Sequence, residues 1–261
     1  MKLEYEVKRT KYDEGRSEVV LDLTTSVNLS EKEYEAVQKI TGNRFGELYD
    51  IEHPEGRANN PQGLKGRIGI RDGRVGKLGL YGLSLKELDG SFRELKGLEE
   101  LNLSGNELTQ LPEWIGELKS LKYLNLNNCC LTSLPESIGE LENLASLSIN
   151  SNDYNEFQNQ LTALPQSIGN MRSLGILSVD NNKLTSFPDS IWELPYKGQL
   201  SQIDASNNQI VSFPDNVDKD LELLRVLSLN LGGNPLNRKS KRIIRELNDS
   251  GRYSIRYKKR K

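Results

Sequence analysis

The sequence predicts an α/β solenoid, a parallel β-sheet laid down one short strand per coil on a concave face, with a small α+β cap at the N-terminus. Three observations carry that expectation. A period of 23 residues recurs from Val75 onward. Each period opens on leucines that alternate with polar residues, and three of them close on Leu-Pro followed by Ile-Gly. Such a period marks units that cannot bury their apolar face alone and must stack to do so.

Seven units begin at residues 75, 98, 121, 144, 174, 200 and 226 and run to residue 236. Leu98 opens LEELNLSGNELTQLPEWIGELKS and Leu121 opens LKYLNLNNCCLTSLPESIGELEN, while the unit at Leu144 carries seven extra residues before LTALPQSIGNMRS. In the shared pattern LxxLxLxxNxL the middle leucines have the period of a strand with one buried face. The Asn after each strand, read as Asn106, Asn152, Asn182, Asn208 and Asn234, has an amide suited to pairing with backbone groups in the turn. Cys129 takes that place in the unit at 121 and reads as a small buried substitute rather than a reactive thiol. Pro112, Pro135, Pro165, Pro188 and Pro214 fix φ where the chain turns onto the convex side, and Ile115, Ile138, Ile168, Ile191 and Val217 follow as inward-facing residues.

These strings resemble the 23-residue leucine-rich repeats of intracellular Ras-binding and scaffold proteins, such as the Scribble-like family, and of many prokaryotic repeat proteins. The resemblance covers about 75 to 240. It implies the repeat fold and a signalling or scaffold role, with a small GTPase among the partners, although no residue points to GTPases specifically. Residues 66–88, GRIGIRDGRVGKLGLYGLSLKEL, resemble the start of the repeat domain in archaeal and bacterial members: a strand pair over 66–74 turning at Asp72-Gly73. Leu83 in place of the Asn and Asp89 in place of the Pro are expected to distort the first coil.

Residues 1–65 show no repeat and read as the cap or as a separate small module: two strands, Leu3 to Tyr12 and Ser17 to Val27, then a helix from the Ser30/Glu33 capping box to Thr41, ended by Gly42. The polar stretch from His53 to Gly66 reads as a loop. At the other end, residues 237–250 form a capping helix whose Ile243, Ile244 and Leu247 close the last coil. Residues 251–261 form a basic tail, read structurally as a solvated terminus or a last strand. From Arg238 to Lys261 there are 11 basic and 2 acidic residues, against 24 and 35 in the rest of the chain. An acidic body therefore carries a basic end.

Composition narrows the function further. With 35% hydrophobic and 28% charged residues the chain has the material for a packed core, and no run approaches the roughly 18 apolar residues that span a bilayer. Met1 is followed by Lys2, Glu4 and Glu6 rather than an apolar leader, and the two cysteines, Cys129 and Cys130, are neighbours in sequence and so poorly placed for a disulfide. A reducing, cytoplasmic location is the expectation. The one histidine, His53, lies in a loop, so no Ser-His or Cys-His nucleophile and no His/Cys metal set can be assembled, and no cofactor motif is present. Leu78 stands where a phosphate loop starting near Gly73 would need Ser or Thr. The chain reads as a non-catalytic monomer.

Binding residues follow from the strand pattern, since side chains flanking the strand leucines line the concave face. The candidates for holding a protein or peptide are Tyr81, Glu100, Asn102, Tyr123, Asn125, Asn127, Ile176, Asp180, Gln202, Asp204 and Asn230. Seven strands about 4.8 Å apart give a sheet face of roughly 460 Å², less than the ~800 Å² per partner of a standard interface. The insertion over 153–160, with Tyr154 and Phe157, is the expected supplement. The alternative reading is that Arg252, Arg256, Lys258, Lys259, Arg260 and Lys261 bind nucleic acid or an anionic membrane.

Overall fold

A computed structural model describes residues 3–13, 16–27, 30–41, 47–50, 65–71, 74–152, 156–194, 200–212, 228–249 and 254–257. Strands β1 (Leu3–Asp13) and β2 (Arg16–Val27) pair antiparallel. Helix α1 (Glu31–Thr41) begins at Ser30, whose hydroxyl accepts the Glu33 N–H at 3.2 Å and donates to the Glu33 carboxylate at 2.9 Å. Ala36 and Val37 on its inner face join the main core. Glu33 also accepts the Val75 N–H at 3.4 Å, and Lys39 pairs with Asp89 at 3.2 Å, which fixes α1 over the first coil.

The other ten described strands form one sheet in chain order: β3 (Glu47–Asp50), β4 (Lys65–Arg71), β5 (Arg74–Leu80), β6 (Glu100–Asn102), β7 (Tyr123–Asn125), β8 (Ser146–Ser148), β9 (Ile176–Ser178), β10 (Gln202–Asp204), β11 (Ser228–Asn230) and β12 (Ser254–Arg256). From β5 to β12 every pairing is parallel, whereas β4 and β5 form an antiparallel hairpin closing at Arg71 and Arg74. Its Asp72-Gly73 turn lies outside the described residues, as do Gly42, His53, Pro214 and Val217. Lys65 and Gly66, expected in the loop, are the first residues of β4. The register aligns Leu78, Leu101, Leu124, Leu147, Leu177, Ile203, Leu229 and Ile255, and each is 6% exposed or less. This column runs along the core, so each coil is stabilised by its neighbours rather than by itself.

Behind the strands runs a ladder of buried amides. In the unit at 174, Asn182 donates to the carbonyls of Val179 (3.1 Å) and of Ile149 in the preceding coil (2.8 Å), while its Oδ1 accepts the Leu161 N–H (3.0 Å). Asn106, Asn208 and Asn234 repeat the arrangement. In the unit at 144 the rung is Asn159, not Asn152: Asn159 donates to Leu126 O at 2.8 Å and accepts the Leu131 N–H at 3.1 Å, whereas Asn152 is exposed. The seven-residue insertion thus sits between Ser151 and Asn159, ahead of the rung, and occupies 152–158 rather than 153–160. The sequence carried a signal for this, since Asn159-Gln-Leu161-Thr-Ala-Leu164-Pro165 repeats the spacing of Asn106-Glu-Leu108-Thr-Gln-Leu111-Pro112. Cys129 is fully buried and its thiol donates to Leu103 O at 3.3 Å; burial pushes its pKa up to about 12. It packs as a rung and is not a thiolate nucleophile.

On the convex side, Pro112, Pro135, Pro165 and Pro188 hold φ between −72° and −66° and lead into one turn of 3₁₀-helix each. Ile115, Ile138, Ile168 and Ile191 follow, all fully buried. Asp89 does not distort the first coil: at φ −68° and ψ 144° it matches the prolines, and its carboxylate caps the turn by accepting the Ser91 N–H at 2.8 Å. The irregularity lies at the other departure: Gly82 takes the positive φ found at Gly105, Asn128, Asn181, Asn207 and Gly233, but Ser84, just after Leu83, takes a second positive φ that the other coils lack among the described residues. Gly116, Gly139 and Gly169 let adjacent coils touch; a Cβ on Gly169 would lie 2.6 Å from both O and Cβ of Ser190.

At the C-terminus, α2 (Arg238–Asp249) starts with Asn237 accepting the Ser240 N–H at 2.8 Å, and it buries Ser240, Ile243 and Ile244. Asn248 exchanges two 2.9 Å bonds with the backbone of Ile255 and so clamps β12. Of the two readings of the tail, solvated terminus or last strand, residues 254–256 take the second and are the last strand of the sheet.

Candidate protein-binding face

Strand register sets the concave side chains in rows. The first row contains Lys77, Glu100, Tyr123, Ser146, Ile176, Gln202, Ser228 and Ser254, and the second contains Gly79, Asn102, Asn125, Ser148, Ser178, Asp204, Asn230 and Arg256. Backbone bonds such as Asn128 N–H to Asn150 O (2.8 Å), Ser151 N–H to Asp180 O (3.2 Å) and Asn181 N–H to Ser206 O (2.9 Å) extend the ladder past the strands. They align a third row through Tyr81, Ser104, Asn127, Asn150, Asp180, Ser206 and Gly232.

The rows are not equally available. Tyr123 is 51% and Ile176 41% exposed, in one row on β7 and β9 with Ser146 between them. Gln202 is exposed beside Ile176. Glu100 is held by Lys77 at 2.5 Å. Asn102, a candidate from the sequence, is buried, and its Oδ1 accepts both N–H (3.0 Å) and hydroxyl (2.6 Å) of Ser104. It belongs to the scaffold. Tyr81 is half-buried, its ring lying over Gly105, so it does not project freely either. Asn125 accepts the Asn127 N–H at 3.0 Å, and Asn127 accepts Ser148 Oγ at 2.9 Å and the Asn150 N–H at 2.7 Å. Phe157 is half-buried, and Tyr154 lies outside the described residues.

Acidity gathers at one place. Asp180 follows β9 and Asp204 lies on the neighbouring β10. Asp204 accepts from Ser206 N–H (3.0 Å), Ser206 Oγ (2.7 Å) and Asn230 Nδ2 (3.0 Å); Asp180 accepts from Asn181 Nδ2 (2.7 Å). Burial, reinforced by the Asp204 charge, raises the Asp180 pKa to about 6. Among the described residues no group of three His, Cys, Asp or Glu could hold a metal ion.

At the C-terminal end, Arg238, Lys239, Arg242, Arg245 and Arg256 are exposed. Arg242 pairs with Glu246 at 3.5 Å. Arg252, Lys258, Lys259, Arg260 and Lys261 lie outside the described residues.

A parallel one-strand-per-coil sheet, a buried Asn ladder and Pro-led convex turns together define a leucine-rich-repeat solenoid. The chain belongs to that family: the family model described as leucine-rich repeat region matches residues 113–250, more than half the chain, and a second leucine rich repeat model matches residues 84–131. Among solved structures, a leucine-rich-repeat protein of Leptospira interrogans is 24% identical, with 74% of this chain and 61% of that chain covered and a TM-score of 0.35. The chain thus spans less than two thirds of that protein's length. None of the curated proteins matches it significantly. Leucine-rich-repeat domains in general mediate protein–protein interaction, and the families are in general non-catalytic binding modules.

Proposed function

We propose that this chain is a non-catalytic interaction module that holds a protein or peptide on its concave face, as a scaffold or signalling component. The observation that carries the reading is the exposed Tyr123 and Ile176, two strands apart in one row with the small Ser146 between them. Aromatic and large apolar groups on such a face are the usual anchors of protein binding. The face alone is smaller than a standard interface, so the 152–158 insertion, with Phe157 and Tyr154, is its natural extension. The module works as a monomer in a reducing, cytoplasmic setting, where Cys129 and Cys130 stay as thiols. A small GTPase is one partner consistent with the family resemblance. Affinity capture tests the reading: proteins retained by the wild type should be lost from Tyr123→Ser/Ile176→Ser, and retention by both forms would contradict it.

A second reading rests on the exposed basic side chains of α2 and β12, which would attract nucleic acid or an anionic membrane. Salt-sensitive retardation of an RNA or DNA probe, or retention on anionic vesicles, lost in Arg242→Glu/Arg245→Glu, would establish it. Failure to bind either at low salt would dismiss it.

A further inference from the structure

We propose that the concave face takes a partner segment bearing a lysine or arginine, whose cation seats against Asp180 and Asp204, beside an apolar side chain held between Tyr123 and Ile176. This rests on the reading of the concave face as the binding face and names what it binds.

The repeats supply an internal control. At the position of Asp204 three of the other coils place Asn102, Asn125 and Asn230, and the rest place Gly79, Ser148, Ser178 and, on the last strand, Arg256. Each Asn accepts, through Oδ1, the N–H two residues further on, at 3.0, 3.0 and 3.2 Å; Asp204 makes the same bond to Ser206 at 3.0 Å. An amide oxygen suffices for that bond. At the position of Asp180, neighbouring coils place Asn127, Asn150 and Ser206. The fold thus accepts neutral residues at both positions and requires a carboxylate at neither.

Those carboxylates nevertheless stand in adjacent coils, partly buried, where the Asp204 charge disfavours that of Asp180. The side chains around them are neutral: Asn150 and Ser178 on one side, Gln202 and Ser206 along the strand, Asn230 on the other. Among the described residues, the cations of the face are Lys77, held by Glu100, and Arg256, two strands from Asp204 with Asn230 between. A carboxylate pair that the fold does not require, uncompensated on an open face, is complementary to an incoming cation.

The apolar anchor has its place on the same grid. Tyr123 and Ile176 stand two strands apart, about 10 Å, over the small Ser146. The midpoint of the acid pair is roughly 12 Å from Ser146, which a long basic side chain two to four residues along an extended segment covers.

The test uses a phage library of random 12-residue peptides selected on the intact chain at pH 7.5, with parallel selections on Asp180→Asn/Asp204→Asn and on Tyr123→Ser/Ile176→Ser. The wild type should enrich peptides with Lys or Arg two to four residues from a large apolar residue. A synthetic peptide of that pool should bind the Asn pair roughly tenfold more weakly or worse, and should weaken on the wild type as pH falls from 7.5 to 5. The Asn pair keeps the Ser206 N–H bond seen in sister coils and gives up the bond from Asn230 Nδ2 together with the carboxylate repulsion, so its melting temperature should stay within a few degrees of the wild type. Selected peptides without a basic residue, unaffected by the Asn pair but lost with the Ser pair, would overturn the cation and leave the concave face standing. Peptides indifferent to both pairs, or no enrichment, would overturn both.

Discussion

Asp180 illustrates how one side chain can be read against its own repeats. Where Asn127 and Asn150 suffice in the neighbouring coils, it places a half-buried carboxylate next to Asp204. Its folded pKa of about 6 stands above the ordinary 3.8, so the folded chain binds its proton more tightly than the unfolded chain does. Its contribution to stability is therefore neutral below about pH 4, turns unfavourable between about 4 and 6, and is fully unfavourable above that. Asp180→Asn should raise unfolding stability at pH 7.5 by about 1 kcal/mol, a figure discounted for the solvent-exposed part of the group, and should change nothing near pH 3.5. Urea unfolding at the two pH values checks it; a loss of stability at pH 7.5 would show that the carboxylate is structural. Asn182→Ala gives the contrasting case. Removing a buried amide with bonds to two coils should cost roughly 3 kcal/mol. Asn152→Ala, at the exposed start of the insertion, should stay within about 0.5 kcal/mol. Equal effects would mean that the ladder does not pass through Asn159.

At the scale of the coil, spacing is set from both sides. Concave strands are held by the sheet, and convex turns approach as closely as Gly116, Gly139 and Gly169 permit. Arg93 and Trp192 stand at the corresponding positions of the first coil and of the unit at 174. There aromatic rings pack instead: Phe92 stacks on Trp114 with centroids 6.0 Å apart, and Trp192 meets Phe187 edge-on at 5.4 Å. Gly169→Ala should therefore lower stability by roughly 1–3 kcal/mol, whereas Gly90→Ala, with open space at its Cβ, should be nearly neutral. Melting curves of the two variants decide this.

The insertion is separable from the coil on the same logic. Joining Ser151 to Asn159 recreates the Ser104-Gly105-Asn106 turn, provided that the middle residue accepts positive φ as Gly105 does. Deletion of 152–158 with Ser151→Gly should melt within a few degrees of the parent. A large loss would mean that the insertion packs as part of the core.

The period fixed how much of this was legible beforehand. Leucines and prolines at constant intervals place strands, core and convex turns, because each coil repeats one solution to burying the same face. Legibility failed where the period was interrupted. Asn152 was the first Asn at the right distance from the strand, and only counting back from Leu164-Pro165 finds Asn159. Strand β3 gave no signal because four residues carry no period, and β12 could be read only as a tail or a last strand because Ser254-Ile255-Arg256 has one buried residue. Within the candidate face, the alternation that exposes a side chain could not distinguish Tyr123, which projects, from Asn102 and Tyr81, which fold back onto the scaffold. That depends on local hydrogen bonds and ring packing, which do not repeat.

At the scale of the whole molecule, a capped parallel solenoid exposes Tyr123 and Ile176 on one sheet face and carries Asp180 and Asp204 on the same face, where the proposed partner would bind. The ends serve the array: α1 covers the first coil and α2 with β12 covers the last. Among the described residues no helix is long and apolar enough to cross a membrane. The most direct test places a photo-cross-linking amino acid at Tyr123, at Ile176, at convex Glu140 and at Arg242 of α2, in otherwise intact chains exposed to native cell extract. Discrete adducts of one protein from positions 123 and 176, with none from 140 or 242, are the predicted result. Adducts that form from Glu140 or Arg242 and are absent from the concave positions would contradict it.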